Sequence, residues 1–267
     1  MKIIEKNLPN GAYLKGYLHE ALDNGIPRIR PAVIIFPGGG YSVCSLQESD
    51  PVAFSFLNRG YQVFILFYPV GKFASDFRPL VAASGVIQWI RLEKETFSID
   101  SEKIAVCGFS AGGHLAGSTG VLWDHPKVQE AVHAPNGENR PNAMILCYPV
   151  ISCVEFAHSG SRAMVSGSDK PCELWDTFSL EKRVNATTPP TFLWHTVTDP
   201  TVPVENSMLF AFAMQKNKRP FECHIFANGG HGLSMCTKQV DTSDPVDAQW
   251  FNLCCNWLEK LFDYPYL

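Results

Sequence analysis

The sequence predicts an α/β domain: a mostly parallel central sheet with helices on both faces. Three observations carry this expectation. Short apolar runs, such as residues 32–36 and 62–68, alternate with longer periodic segments, the order in which parallel strands and their crossover helices follow one another. Those runs are hydrophobic throughout rather than at every second residue, as strands covered on both faces require. The chain has 267 residues, 46% of them hydrophobic, with no repeat and no long linker, so a single domain over 1–267 can fill one core.

The elements follow in order. Residues 12–19 alternate and read as an edge strand. Residues 32–36 form a largely β-branched run that ends at Pro37 and three glycines. Residues 50–59 read as a helix, with Gly60 placed to stop it. A second buried strand covers 62–68. A long amphipathic helix follows over 78–95, with Val81, Val86, Trp89 and Ile90 on its apolar side. A third strand is expected at 104–108, a helix at 110–122 and a fourth strand at 143–148. Residues 152–188 read as an irregular, lid-like insertion, with Gly, Ser, Asp and Pro scattered among aromatics, closed by Pro189-Pro190. A strand at 191–196, a helix at 204–216, a strand at 221–226 and a helix at about 246–262 complete the pattern.

Composition narrows the function. A net charge of -4 argues against a chain built to grip nucleic acid or an anionic membrane surface. The opening Met1-Lys2-Ile3-Ile4-Glu5-Lys6-Asn7 has no apolar h-region, and no apolar run approaches the roughly 20 residues needed to span a bilayer. The nine cysteines are an odd number with no CxxC spacing, and Cys44, Cys107, Cys147 and Cys223 sit within apolar runs. Free, buried thiols in a reducing compartment are the simpler expectation, which points to the cytoplasm. A chain whose signal had been removed would begin in the same way. There is no HExxH, no zinc-type Cys/His spacing, no P-loop and no dinucleotide fingerprint, so neither metal nor cofactor is expected.

In a parallel sheet, active groups sit on loops at the C-terminal ends of the strands. Gly108-Phe109-Ser110-Ala111-Gly112 fits G-x-S-x-G, directly after one expected strand and directly before a helix. Small flanking residues permit the tight turn that exposes a serine hydroxyl, and the helix N-terminus favours negative charge nearby. The competing reading is a tight turn without chemistry. Pro37-Gly38-Gly39-Gly40-Tyr41 follows the strand at 32–36. Residues without Cβ let backbone N–H groups approach an oxyanion closely, so Gly39 and Gly40 are candidate donors; a plain flexible turn is the alternative.

A serine nucleophile needs a base, and the base needs an orienting carboxylate. His231 stands in the glycine-bracketed loop Asn228-Gly229-Gly230-His231-Gly232, just past the strand at 221–226. His114, His195 and His224 compete, but the first follows the serine too closely and the other two lie in strand runs. Asp199 follows the strand at 191–196, with Glu205 and Asp176 as rivals and a structural turn aspartate as the plainer alternative.

Gly-Gly-Gly-Tyr at 38–41, Gly-Phe-Ser-Ala-Gly-Gly-His-Leu-Ala at 108–116, His-Thr-Val-Thr-Asp at 195–199 and Gly-Gly-His-Gly-Leu at 229–233 together resemble the α/β-hydrolase superfamily. Within it they are similar to the acetyl-xylan-esterase-like carbohydrate esterases, neighbours of the hormone-sensitive-lipase-like group. Pro37 departs from the histidine that usually precedes the glycines in that neighbouring group. The resemblance implies an α/β-hydrolase fold, Ser110, Asp199 and His231 as a catalytic triad, and Gly39, Gly40 and Ala111 as oxyanion donors.

The leading expectation is therefore a serine carboxylesterase for short, acetyl-type esters, with a small-molecule ester such as an acetylated carbohydrate as its partner. A prolyl-oligopeptidase-like peptidase and a non-catalytic binding protein on the same fold are the alternatives. Tyr41, beside the glycines, and Trp175, in the insertion, are candidate substrate contacts. The oligomeric state, a homodimer included, is left open.

Overall fold

The computed structural model describes residues 1–21, 25 and 28–265. Its eight strands are β1 (Lys2–Asn7), β2 (Tyr13–Leu18), β3 (Arg30–Phe36), β4 (Gln62–Phe67), β5 (Ile99–Phe109), β6 (Ala143–Cys147), β7 (Thr191–Thr196) and β8 (Phe221–Phe226). They form one sheet in the order β1-β2-β4-β3-β5-β6-β7-β8. The β1–β2 and β2–β4 pairs are antiparallel, and every later pair is parallel. The helices are α1 (Asp50–Asn58), α2 (Arg78–Leu92), α3 (Lys94–Phe97), α4 (Ala111–Val121), α5 (Pro126–Val132), α6 (Ser159–Ser166), α7 (Glu173–Thr177), α8 (Glu205–Lys216) and α9 (Gln249–Phe262).

Successive strand residues point to opposite faces, and this alternation divides the core in two. Ile34, Phe36, Val106, Leu146 and Leu193 face the layer of α2, α4 and α8, where Ile87, Leu115 and Phe210 meet them. Val33, Ile35, Cys107, Ile145 and Trp194 face α1 and α9, where Phe56, Trp250 and Leu258 are buried. Trp194 and Trp250 stack with centroids 5.3 Å apart, an aromatic pairing worth about 0.5–1.5 kcal/mol beyond its burial. Both faces are apolar, so the parallel strands read as continuous hydrophobic runs.

Three expectations need correction. The strand at 12–19 is not the edge, because β1 lies outside it. Most β1 side chains are exposed, so the segment lacks the alternation that would have marked it. The helix at 78–95 breaks at Glu93 into α2 and the short α3. Residues 152–188 are not wholly irregular: they hold α6 and α7, too short to show a helical period.

Candidate active site

The C-terminal ends of β3, β5, β7 and β8 converge on one edge of the sheet and deliver the glycine loop, Ser110, Asp199 and His231. Ser110 joins β5 to α4 with φ 54° and ψ -117°, a conformation costly for a residue with a Cβ. Its N–H donates to the Cys147 carbonyl at 3.0 Å. A Cβ on Gly108 would lie 2.1 Å from the Gly112 carbonyl oxygen, and one on Gly112 would lie 2.0 Å from that of Phe36. The two glycines of the pattern are thus required by backbone packing within the turn and against β3.

The Ser110 Oγ stands 2.8 Å from His231 Nε2, and His231 Nδ1 stands 2.6 Å from Asp199 Oδ2. An ionised carboxylate only accepts hydrogen bonds, so Nδ1 carries the proton and Nε2 accepts from the serine hydroxyl. Asp199 is buried. Its Oδ1 accepts from the backbone N–H groups of Thr201 (2.8 Å) and Val202 (2.9 Å). Burial opposes its charge, but hydrogen bonds from His195 and His231, with the Val202 amide, outweigh that and hold the carboxyl well below the usual range. The arrangement can move a proton from the serine to the imidazole and offset the resulting charge.

Gly39 and Gly40 adopt φ of +122° and +63°. Among the described residues, no acceptor is bonded to the N–H groups of Gly39, Gly40 or Ala111. A cavity of about 220 Å³ opens here, lined by Gly39, Gly40, Ser110 and His231, with Glu48 and His158 on its walls. No aliphatic or phenyl side chain among the described residues lines it.

The sequence model of the BD-FAE family matches residues 22–214. The chain belongs to the BD-FAE family. The matched span includes Ser110 and Asp199, and His231 lies beyond it. Endo-1,4-beta-xylanase B of Butyrivibrio fibrisolvens is 38% identical over 79% of this chain, and the acetylxylan esterase of Xylanibacter ruminicola is 28% identical over 77%. The chain spans only 33% and 42% of the lengths of these two relatives. Among solved structures, the acetyl ester-xyloside bifunctional hydrolase of Caldicellulosiruptor lactoaceticus is 37% identical, with a TM-score of 0.83 over 96% of this chain and 90% of that one. The fold is that of the α/β-hydrolases.

The rival candidates of this BD-FAE chain lie elsewhere or in supporting places. His195 is buried behind Asp199, with Nε2 3.2 Å from its Oδ2 and 3.0 Å from the Val202 carbonyl, and Nδ1 2.9 Å from Ser207 Oγ. It braces the carboxylate. His114 is a core residue between the Tyr41 hydroxyl and the Phe178 carbonyl, and burial lowers its pKa to about 4. His224 pairs with Glu222, and Asp176 with Lys182 and Arg183. Glu205 begins α8.

The structure does not bring Tyr41 or Trp175 to the cavity. Tyr41 turns inward at φ +61°, is buried, and bonds to His114. Trp175 is covered by the Arg162 guanidinium at 3.8 Å, and its indole N–H donates to Ser166 Oγ. The rings pin their own segments. Two wall residues escaped the sequence reading. Glu48 stands in Gln47-Glu48-Ser49-Asp50, which reads as a solvated stretch. His158 caps α6: its Nδ1 accepts from the Ser161 N–H and stands 2.8 Å from Ser161 Oγ. Burial lowers its pKa, so the ring is neutral near pH 7 with its proton on Nε2.

Proposed function

We propose that this chain is a serine carboxylesterase that removes short acyl groups, acetyl above all, from acylated sugars such as acetylated xylo-oligosaccharides. One observation carries the reading: hydroxyl, imidazole and carboxylate stand in line at 2.8 and 2.6 Å at the mouth of a small cavity. In the proposed cycle, Ser110 Oγ attacks the ester carbonyl as His231 takes its proton. Asp199 holds the tautomer, and the N–H groups of Gly39, Gly40 and Ala111 receive the oxyanion. The C–O bond to the alcohol breaks as His231 returns the proton to the leaving oxygen. Water then cleaves the acyl-serine by the same steps.

A cavity of only about 220 Å³, with no aliphatic or phenyl side chain among its described lining residues, favours acetyl over long acyl chains. With Nδ1 engaged by Ser161, His158 Nε2–H is the donor left for a sugar hydroxyl. The names of the xylan-linked relatives support the same substrate class. The test is a series of p-nitrophenyl esters beside acetylated xylo-oligosaccharides and a peptide anilide. The expected result is kcat/KM highest for acetyl, falling steeply by butyryl, with acetate released from the sugar. A rise from acetyl to octanoyl, or preference for the anilide, would overturn it.

A further inference from the structure

The most deeply buried ionisable group on the cavity wall takes no part in that cycle. Glu48 is only 3% exposed, yet both carboxyl oxygens are engaged by donors. Oε2 accepts the Gly38 N–H at 2.7 Å, and Oε1 accepts the Tyr148 hydroxyl at 2.6 Å. The Tyr148 oxygen in turn accepts the Ser234 N–H at 2.8 Å, so its own proton is directed at Glu48. Ser234 lies three residues past His231, and the Tyr148 ring meets the His231 imidazole edge-on with centroids 5.1 Å apart. Ser234 Oγ also donates to the Gln47 carbonyl. A Cβ on Gly38 would lie 2.6 Å from Glu48 Oε2 and 2.9 Å from the Phe109 carbonyl oxygen, so only glycine lets the carboxylate reach this N–H.

We propose that Glu48 is a positioning residue that ties the oxyanion loop to the histidine loop and adds a second negative charge in support of the His231 imidazolium. The proposal rests on the serine-esterase reading above. Because Oε2 holds the Gly38 N–H, the next two amides, Gly39 and Gly40, which bond no acceptor among the described residues, stay available to substrate. Because Oε1 holds Tyr148, the floor under the imidazole is fixed to the same carboxylate. Charge raised on His231 during acyl transfer then meets Asp199 on one side and Glu48 beneath.

The groups facing Glu48 are Tyr148, Tyr68, Cys44 and His231. Burial pushes both tyrosines well above their ordinary value and Cys44 to about 12. Burial raises the Glu48 carboxyl itself, opposed by the bonds from Tyr148 and Gly38 and by the charge on His231.

The test compares pH profiles of acetyl-ester hydrolysis by wild type, Glu48→Gln and Tyr148→Phe, with circular dichroism as the check on folding. Glu48→Gln should lower kcat by roughly 10- to 100-fold with little change in KM. It should also move the acid limb of kcat/KM down by about 0.5–1 pH unit, since removing a negative charge makes His231 easier to deprotonate. Tyr148→Phe should lower kcat by roughly 10-fold and leave the limb in place, because the charge remains. A folded Glu48→Gln with unmoved limb, or with its loss confined to KM, overturns the proposal. Should Glu48→Gln not fold, wild-type kcat in Tyr148→Phe overturns it. Wild-type-like turnover in Ser110→Ala would instead overturn the esterase reading, and this proposal with it.

Discussion

The strand-end turns and the insertion over residues 152–188 both border the cavity, but they are held in place by different physics. Around Ser110 the constraint is backbone against backbone: Gly108 on Gly112, and Gly112 on Phe36, at separations that admit no Cβ. The same holds for Gly39, where a Cβ would lie 2.3 Å from the Val43 carbonyl oxygen. The insertion is fastened by side chains instead. Asn206 Oδ1 accepts from the Ile151 and Ser152 amides, Ser179 Oγ accepts from that of Cys153, and Arg162 lies over Trp175. Backbone clamps fix a geometry that side-chain substitution cannot retune, which suits groups that must meet a transition state. Side-chain fastenings can change one at a time, which suits groups that recognise the rest of the substrate.

The largest expected effect lies on the clamped side. His231→Ala should reduce kcat on acetyl esters by a factor on the order of 10⁴ to 10⁶, and adding Ser110→Ala should cost little more, because the three residues act as a unit. Steady-state kinetics of the single and double variants checks this, with Asp199→Asn expected to lose somewhat less. Next comes the glycine loop. Gly39→Ala should depress kcat by roughly 10²-fold, and Gly40→Ala by less, because a Cβ on Gly40 would meet nothing nearer than His158 Cε1 and Ser161 Oγ at 4.0 Å, whereas one on Gly39 would lie 2.3 Å from a carbonyl oxygen. Equal losses at the two positions would break the clamp argument.

On the insertion side, His158→Ala should raise KM for acetylated xylo-oligosaccharides by roughly 5- to 10-fold, the worth of one hydrogen bond. The loss should fall on KM more than on kcat. A loss confined to kcat would erase the contrast between the two regions.

The smallest effect concerns stability beneath the histidine loop. Asp247 is buried with its Oδ2 unpartnered, 2.7 Å from where a Cβ on Gly229 would stand. Burial and then Asp244 raise its carboxyl to about 6 from 3.8. A raised acid contributes fully below its unfolded value, and that contribution is lost as pH climbs through the folded one. Asp247→Asn should therefore raise Tm by roughly 2–4 °C at pH 8 and leave it unchanged at pH 3.5, as calorimetry at the two pH values would show.

The same contrast explains what was legible in the sequence. Ser110, Asp199 and His231 could be placed because each lies in the loop or turn that follows a short strand run, and because glycine spacing around Ser110 records steric demands made within a few residues. β7 and β8 matched their expected bounds. β1 was invisible because its side chains face solvent, and α6 and α7 because one or two turns show no period. Glu48 and His158 become site residues only through partners distant in sequence, Tyr148 for the first and the Ser110–His231 pair for the second. Tyr41 misled because adjacency to Gly40 in sequence does not set the direction of a side chain at positive φ.

Covalent labelling tests the central claim most directly. A fluorophosphonate probe should add one equivalent to the folded protein, tryptic peptide mass spectrometry should place it on Ser110, and His231→Ala should slow the addition by orders of magnitude. Labelling that persists in Ser110→Ala, or proceeds at the wild-type rate in His231→Ala, would contradict the account.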